Sequence, residues 1–413
     1  MGRACFRRAP DELKKGLAVS DLGYAMFDAD NHFYEGRDAF TRYLDPKYQR
    51  EFFWVRDERG RTHVILHGRF WPYIPNPTFD PIAVPGSMEL MFGGKKSRAE
   101  LAAEGIRLTE PLADRPEYMN RQARLERMGA QGVEACWMFP TMVSGVEHQT
   151  RDDVDLTYAL LNALNRWILD EWGFGAEGRI HAMPVVSLAD PDQAVAQLEF
   201  GLAHGARAIM LRPSPAPTIR GYRSPGLPEF DGFWARVAEA RVAVTCHAGE
   251  TGYHQYAGDW TGRYVLEPFM DTPAYDAMFV EGRAVSDFTT ALIVHGAFQR
   301  HPDLRVVMIE NGCGWVPDLM RRFRKFYSHH RESFPGDPIE QFQRNIWISP
   351  FWEDDIAELA TYLPVEHILA GSDWPHAEGL AEPAHFVKGL HAFGADDQRK
   401  IMRENGLALL EGR

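Results

Sequence analysis

The run Ile368-Leu-Ala-Gly-Ser-Asp-Trp-Pro-His376 starts as an apolar, strand-like segment and ends abruptly in a carboxylate and an imidazole. Two other runs have the same form: Met26-Phe-Asp-Ala-Asp-Asn-His32 and Val242-Ala-Val-Thr-Cys-His247. Apolar strands that carry chemistry only at their last residues are the signature of a parallel α/β barrel, whose active site sits where strands finish. Together the three ends offer Asp30, His32, His247 and Asp373. This mixed set of imidazoles and carboxylates suits Zn²⁺ or a similar divalent ion better than a thiolate-loving metal.

Outward from these runs, the chain alternates strand-like and helix-forming stretches. Strands are expected at 24–30, 133–139, 180–186, 207–212, 242–247, 305–310, 346–350 and 367–373, each rich in Val, Ile, Met or aromatics and bounded by Gly, Pro, Asn or Asp. Eight such runs separated by helical patterns predict an α/β fold of the (β/α)₈ TIM-barrel type rather than a doubly wound sheet. Helices are expected at 152–172, capped by Asp152-Asp153, at 191–204, closed by Gly205, and at 286–300, from Ser286-Asp287 to His301-Pro302. Residues 45–120 break the repeat with prolines and aromatics such as Phe70-Trp-Pro-Tyr-Ile-Pro-Asn-Pro77. So apolar a stretch is no disordered linker. It reads as an ordered insertion after the first strand, placed to roof the site or meet a second subunit. The expected organisation is one domain over 1–413, with 1–23 as an N-terminal extension.

The 413 residues fit a barrel with insertions, and a net charge of −13 argues against a nucleic-acid-binding surface. Cys5, Cys136, Cys246 and Cys313 show no CxxC spacing, so neither a zinc ribbon nor a disulfide framework is expected, and Cys136 and Cys246 read as core. No apolar stretch approaches the roughly 20 residues that span a bilayer. The basic start lacks the apolar region of a secretory signal, which makes a cytoplasmic protein with no membrane partner the expectation.

Asp30 and His32, two residues apart on a strand, share a face. His247 and Asp373 complete four protein ligands and leave room for a water or substrate atom. Taken singly, a histidine at a strand end is often a hydrogen-bonded structural residue, and Asp373 before Trp-Pro can cap a turn. Three strand ends in the right order, all loaded with ligand-type side chains, turn the reading toward metal.

At these residues the chain resembles the amidohydrolase superfamily, in the amidohydrolase-related group that includes aminocarboxymuconate-semialdehyde decarboxylase and related aromatic-acid decarboxylases. The resemblance runs from about Tyr24 to the C-terminus, leaving out 45–120. It is carried by Phe27-Asp-Ala-Asp-Asn-His32, Thr245-Cys-His-Ala-Gly249, Arg300-His-Pro-Asp-Leu-Arg-Val-Val307 and Gly371-Ser-Asp-Trp-Pro-His376. Asp28, Asp30 and His32 occupy the family's Asp-x-His-x-His places, so Asp30 replaces the first metal histidine. The resemblance places His247 on the fifth-strand ligand and Asp373 on the eighth. It also implies one ion rather than two, because Ala208-Ile-Met-Leu-Arg-Pro213 lacks the lysine that bridges two metals, and the carboxylate and imidazole donors suit Zn²⁺, with Mn²⁺ as the alternative.

One departure bears on mechanism. Where the family decarboxylases present a histidine after the sixth strand, this chain has Glu310, in Glu310-Asn-Gly-Cys-Gly314. A carboxylate there can act as general base toward a metal-activated water, and it would repel an anionic substrate carboxyl by a few kcal/mol, on the order expected in a partly dry cleft. A protonated Glu310 would escape that repulsion, and a plain ion pair with Arg212 is the structural alternative. Asp373 and His376 join Glu310 as catalytic candidates, although His376 can equally orient Asp373. Glu35 either touches substrate or fixes a loop. Trp71, Tyr73, Tyr253, His254, Tyr256 and Trp374 offer an aromatic lining, whereas His295 and the His329-His330 pair read as helix-surface residues. The leading expectation is a metal-dependent hydrolase of a small aromatic or cyclic molecule. The alternatives are a non-oxidative decarboxylase and a catalytically silent binding barrel. A homodimer is expected, because so aromatic an insertion exposes more apolar surface than one barrel hides.

Overall fold

The computed structural model describes residues 22–74, 76–92, 95–264 and 273–413. Cys5, nearly all of the expected N-terminal extension, and residues 75, 93 and 94 of the expected insertion lie outside the described residues.

The fold is α/β and built on parallel strands. β1 (Met26–Phe33) begins it. Between β1 and the next parallel strand come β2 (Phe52–Arg56), β3 (Thr62–Leu66) and β4 (Arg69–Phe70), an antiparallel trio, and then the paired β5 (Ile82–Ala83) and β6 (Thr109–Glu110). The parallel series resumes with β7 (Val133–Pro140), β8 (Ile180–Ala182), β9 (Val185–Val186) and β10 (Ala208–Leu211). A hairpin of β11 (Ala216–Thr218) and β12 (Gly221–Arg223) precedes β13 (Ala243–His247), β14 (Arg305–Ile309) and β15 (Ile346–Ser349). One parallel sheet runs β1-β7-β8 and the other β9-β10-β13-β14-β15. β10, β13 and β15 are buried at every residue and β14 at all but Arg305, which explains their unbroken apolar runs: helices cover the sheet and leave no polar face.

Residues 180–186, expected as one strand, are split, because Pro184 has no N–H to give the ladder. The segment still reaches both sheets: Met183 N donates to Met138 O (2.9 Å) and Met210 N to Pro184 O (2.9 Å). Residues 367–373, expected as the eighth strand, form no regular strand either. They lie between β15 and β1 through Leu369 N to Ile348 O and Ala29 N to Ala370 O, both 2.9 Å, with isolated bridges at Ile368 and Trp374. The ladder fails where the chain must crowd past β1. A Cβ on Gly371 would stand 2.4 Å from Ser349 Oγ and 2.7 Å from Asp30 Cβ, so only glycine fits.

The helix expected at 152–172 is Val154–Glu171, with Asp153 accepting from Leu156 N, and the one expected at 191–204 is Pro191–Ala203, capped by Asp190. The helix expected at 286–300 instead runs Arg283–Val294, followed by a separate turn at Ala297–Arg300. Left-handed glycines cause both changes: Gly282 (φ 65°) starts the helix three residues early, and Gly296 (φ 86°) breaks it. Phe40, Phe52 and Trp71 pack together beneath β2–β4, and Cys136, Cys246 and Cys313 are buried free thiols. Among the described residues no helix is long and apolar enough to cross a membrane.

Candidate metal centre

β1 is buried at all eight residues although four are polar, so its polar groups need partners inside. Asp28 accepts from Ser372 Oγ (2.6 Å), Ser372 N (2.9 Å) and Asn31 Nδ2 (2.8 Å), which ties β1 to the eighth run. Burial nevertheless pushes its carboxyl up to about 6. Arg124, fully buried against Trp374, binds Asn31 Oδ1 and donates to His32 O (2.8 Å). The pairing with β7 slips between Asp28 and Asn31, an irregularity that re-aims side chains next to a functional site.

Beyond that slip the ligand atoms of Asp30, His32 and His247 lie together, while Asp373 approaches His32 and groups with His376 and Glu310. His247 Nε2 lies 3.0 Å from His32 Nε2 and 3.2 Å from Asp30 Oδ1, and His32 Nε2 lies 3.3 Å from Asp30 Oδ1 and 3.4 Å from Asp373 Oδ1. Ligand atoms bound at about 2.0–2.1 Å to one ion sit about 3.0–3.4 Å from one another, so the separations among Asp30, His32 and His247 are those one ion could bridge. His247 Nδ1 stands 2.8 Å from Ala248 O, a contact that as N–H donation leaves Nε2 a lone pair facing inward.

The electrostatics point the same way. Burial pushes Glu310 well above the carboxylate range, and Asp373 adds to it; Asp373 is itself raised by burial, then by Glu378, Asp30 and Asp28. Burial and the neighbouring His376 hold His32 well below its usual value. Burial opposes the charge on Asp30, yet His247 and His32 lower its carboxyl; burial likewise opposes charge on His247, which Glu310 and Asp30 overcome. Several carboxyls share a space with imidazoles that cannot neutralise them all, which fits a resident cation.

Glu310 Oε2 sits 3.3 Å from His247 Nε2, and Arg212 instead binds Glu250 O and His148, so the Glu310–Arg212 pair is absent. His376 Nδ1 lies 2.6 Å from Asp373 Oδ1, its Nε2 is 3.3 Å from Thr141 Oγ1, and its ring is 4.0 Å from that of His32. Both Glu310 (φ 55°) and Asp373 (φ 54°) are held in the left-handed backbone region, which non-glycine residues adopt only where the surroundings enforce it. Glu35 fixes a loop: its Oε1 accepts from Met142 N at 2.7 Å. Trp374 is buried packing against Tyr118 and Arg124, and Trp71 belongs to the core, so neither lines the site. His295 bonds Ser224, outside the centre, and His330 is exposed. The sequence reading missed Glu378, which joins Glu310, Asp373 and His376 as a group of possible ligands, and also Arg124 and Thr141. For Glu378 the signal was its place two residues beyond His376 in an already loaded run.

A family model described as amidohydrolase matches residues 28–411. An amidohydrolase crystal structure from Mycobacterium avium subsp. paratuberculosis K-10 shares 43% identity over 94% of this chain and 99% of that one, with a TM-score of 0.87. The manganese-bound 5-carboxyvanillate decarboxylase of Novosphingobium aromaticivorans DSM 12444 is similar at 15% identity over 95% and 97% of the two chains, TM-score 0.60. A manganese-bound dihydroxybenzoic acid decarboxylase from Polaromonas sp. JS666 is similar at 14% identity over 94% and 97%, TM-score 0.56. At such identities these two show a shared fold. No curated protein matches the chain.

Proposed function

This chain belongs to the amidohydrolase family, and from that premise we propose a metal-dependent hydrolase of a small aromatic or cyclic molecule, working within an eight-stranded (β/α)₈ barrel. Asp30, His32, His247 and Asp373 would hold one divalent ion, Zn²⁺ in the first instance and Mn²⁺ in the second. Bound there, such an ion polarises a substrate oxygen and acidifies water. Glu310 is the general base, Asp373 orients, and His376, bonded to Asp373 through Nδ1, carries a proton toward the leaving group. Tyr34, packed at a tilt between Phe79 and His376 with ring centroids 4.4 and 5.9 Å away, excludes solvent from one side. The 45–120 segment serves as the roof: Gly86 N donates to His376 O (3.1 Å) and Met88 N to Ala377 O (2.9 Å), beside the catalytic run.

The observation that carries the reading is Glu310, turned onto His247 rather than onto an arginine. Glu310→Gln, which preserves shape, is expected to keep fold and metal content and lower turnover about 10²-fold or more. Unchanged turnover would remove Glu310 from the chemistry.

Decarboxylation is the second reading, favoured by the raised Glu310 and Asp373 carboxyls. A carboxyl that burial makes a weaker acid holds its proton more readily and is suited to deliver it to carbon as CO₂ departs. Panels of aromatic esters, lactones and amides, assayed beside hydroxylated aromatic acids with CO₂ release recorded, separate the two.

A further inference from the structure

Arg124 lies on the helix Arg121–Gln131, just before β7, and is fully buried. Its guanidinium reaches three oxygen acceptors, none of them charged. Nε donates to Glu117 O (2.7 Å), Nη1 to Asn31 Oδ1 and Nη2 to His32 O (2.8 Å). Two indole rings lie against it, Trp374 with its centroid 4.5 Å away and Trp172 at 5.6 Å. Burial lowers the group only to about 10, so it sits in the core as a cation. The carboxyl group that answers it is Asp28, one side chain further on. The Asn31 amide takes Arg124 on its oxygen and gives Nδ2 to Asp28 Oδ2 (2.8 Å).

An apolar side chain of similar volume would fill this space without burying a cation, so packing alone does not call for an arginine. What the arginine touches does. Asn31 and His32 belong to β1, and Trp374 follows Asp373 in the eighth run. The two runs are stitched by Asp373 N to Asp30 O and His32 N to Trp374 O, both 2.8 Å. They carry Asp30, His32 and Asp373, three of the four candidate ligands, and His32 Nε2 stands 3.4 Å from Asp373 Oδ1. We propose that Arg124 is a positioning residue of the metal centre: its fork on β1 and its contact with Trp374 fix the spacing between the β1 ligands and Asp373. This rests on the metal reading above and goes beyond it, to a residue that touches no ion. A planar fork held at three nitrogens against a ring has one orientation, which a lysine ammonium cannot copy. Groups that hold a metal ligand from behind set its affinity, because they keep it in the pose that binds.

The probe is Co²⁺, added to metal-stripped full-length protein, with affinity read by chelator competition and ligand geometry by the visible ligand-field spectrum. Arg124→Met removes charge and fork together, and Arg124→Lys keeps the charge and loses the fork. Arg124→Met is expected to weaken Co²⁺ about 10- to 100-fold and to shift the bands. Arg124→Lys is expected to shift the bands as well and to recover part of the affinity, and it carries the test if the Met variant does not fold. Thermal unfolding of the metal-free proteins separates positioning from packing. A residue that served packing alone would lower the midpoint and leave both Co²⁺ readouts at their wild-type values, and that result would overturn the inference while the metal reading stands. Wild-type protein that binds no Co²⁺ would overturn both.

Discussion

Glu35 is a carboxyl that the fold keeps without charge. It is 3% exposed, its Oε1 accepts from Met142 N, and its Oε2 has no partner. Burial raises it from 4.5 to about 8, only partly offset by backbone hydrogen bonds from the loop it clamps. The folded chain therefore holds this proton where the unfolded chain has released it. Stability from this group is complete below about pH 4.5, falls as pH rises from there, and levels off above about 8. With each decade of proton activity worth about 1.4 kcal/mol, a rise of about 3.5 amounts to roughly 5 kcal/mol at the alkaline end. Glu35→Gln mimics the protonated shape, retains an oxygen for Met142 N, and has nothing to ionise. Urea unfolding of metal-free wild type and variant, followed by tryptophan fluorescence from pH 5 to 9, is the assay, since the difference between the two proteins isolates Glu35 from the other carboxyls. The curves should nearly coincide at pH 5, and the variant should be more stable by about 3–5 kcal/mol at pH 9. Parallel curves across the range would show that Glu35 ionises freely, and the account of its burial would be wrong.

The purified chain is expected to carry one divalent ion, and His247→Ala to lose it; full occupancy in that variant by elemental analysis would remove His247 from the ligand set. Gly406→Ala would drive a Cβ to 2.0 Å from Phe27 Cδ1, inside a ring that packs edge-to-face on Trp137. The overpacking should cost about 1–3 kcal/mol and lower the thermal midpoint, and an unchanged midpoint would show that Phe27 relaxes freely. Light scattering at micromolar concentration should give twice the chain mass, the homodimer proposed from the aromatic 45–120 segment, and the mass of one chain would exclude it.

The sequence by itself determined the residue types that meet and the strands that bring them. A buried parallel strand must be apolar along its length, so its polar end stands out: Asp30, His32, His247 and Asp373 were legible for that reason, and Asp30, His32 and His247 lie together with Asp373 beside His32. Helix starts were legible where a side chain caps its own turn, as at Asp153, and misplaced at 286, where the left-handed backbone of Gly282 set the start. Only the tertiary structure decided what depends on close approach between distant segments. Gly371 must let the chain past Ser349 and Asp30, and the crowding there reduces the eighth strand to single bridges. Glu310 could face Arg212 or His247 on sequence grounds, and the packing of β14 beside β13 turned it to His247. Arg212 instead meets the Glu250 carbonyl and His148, both distant along the chain, and no local pattern of side chains encodes such a meeting.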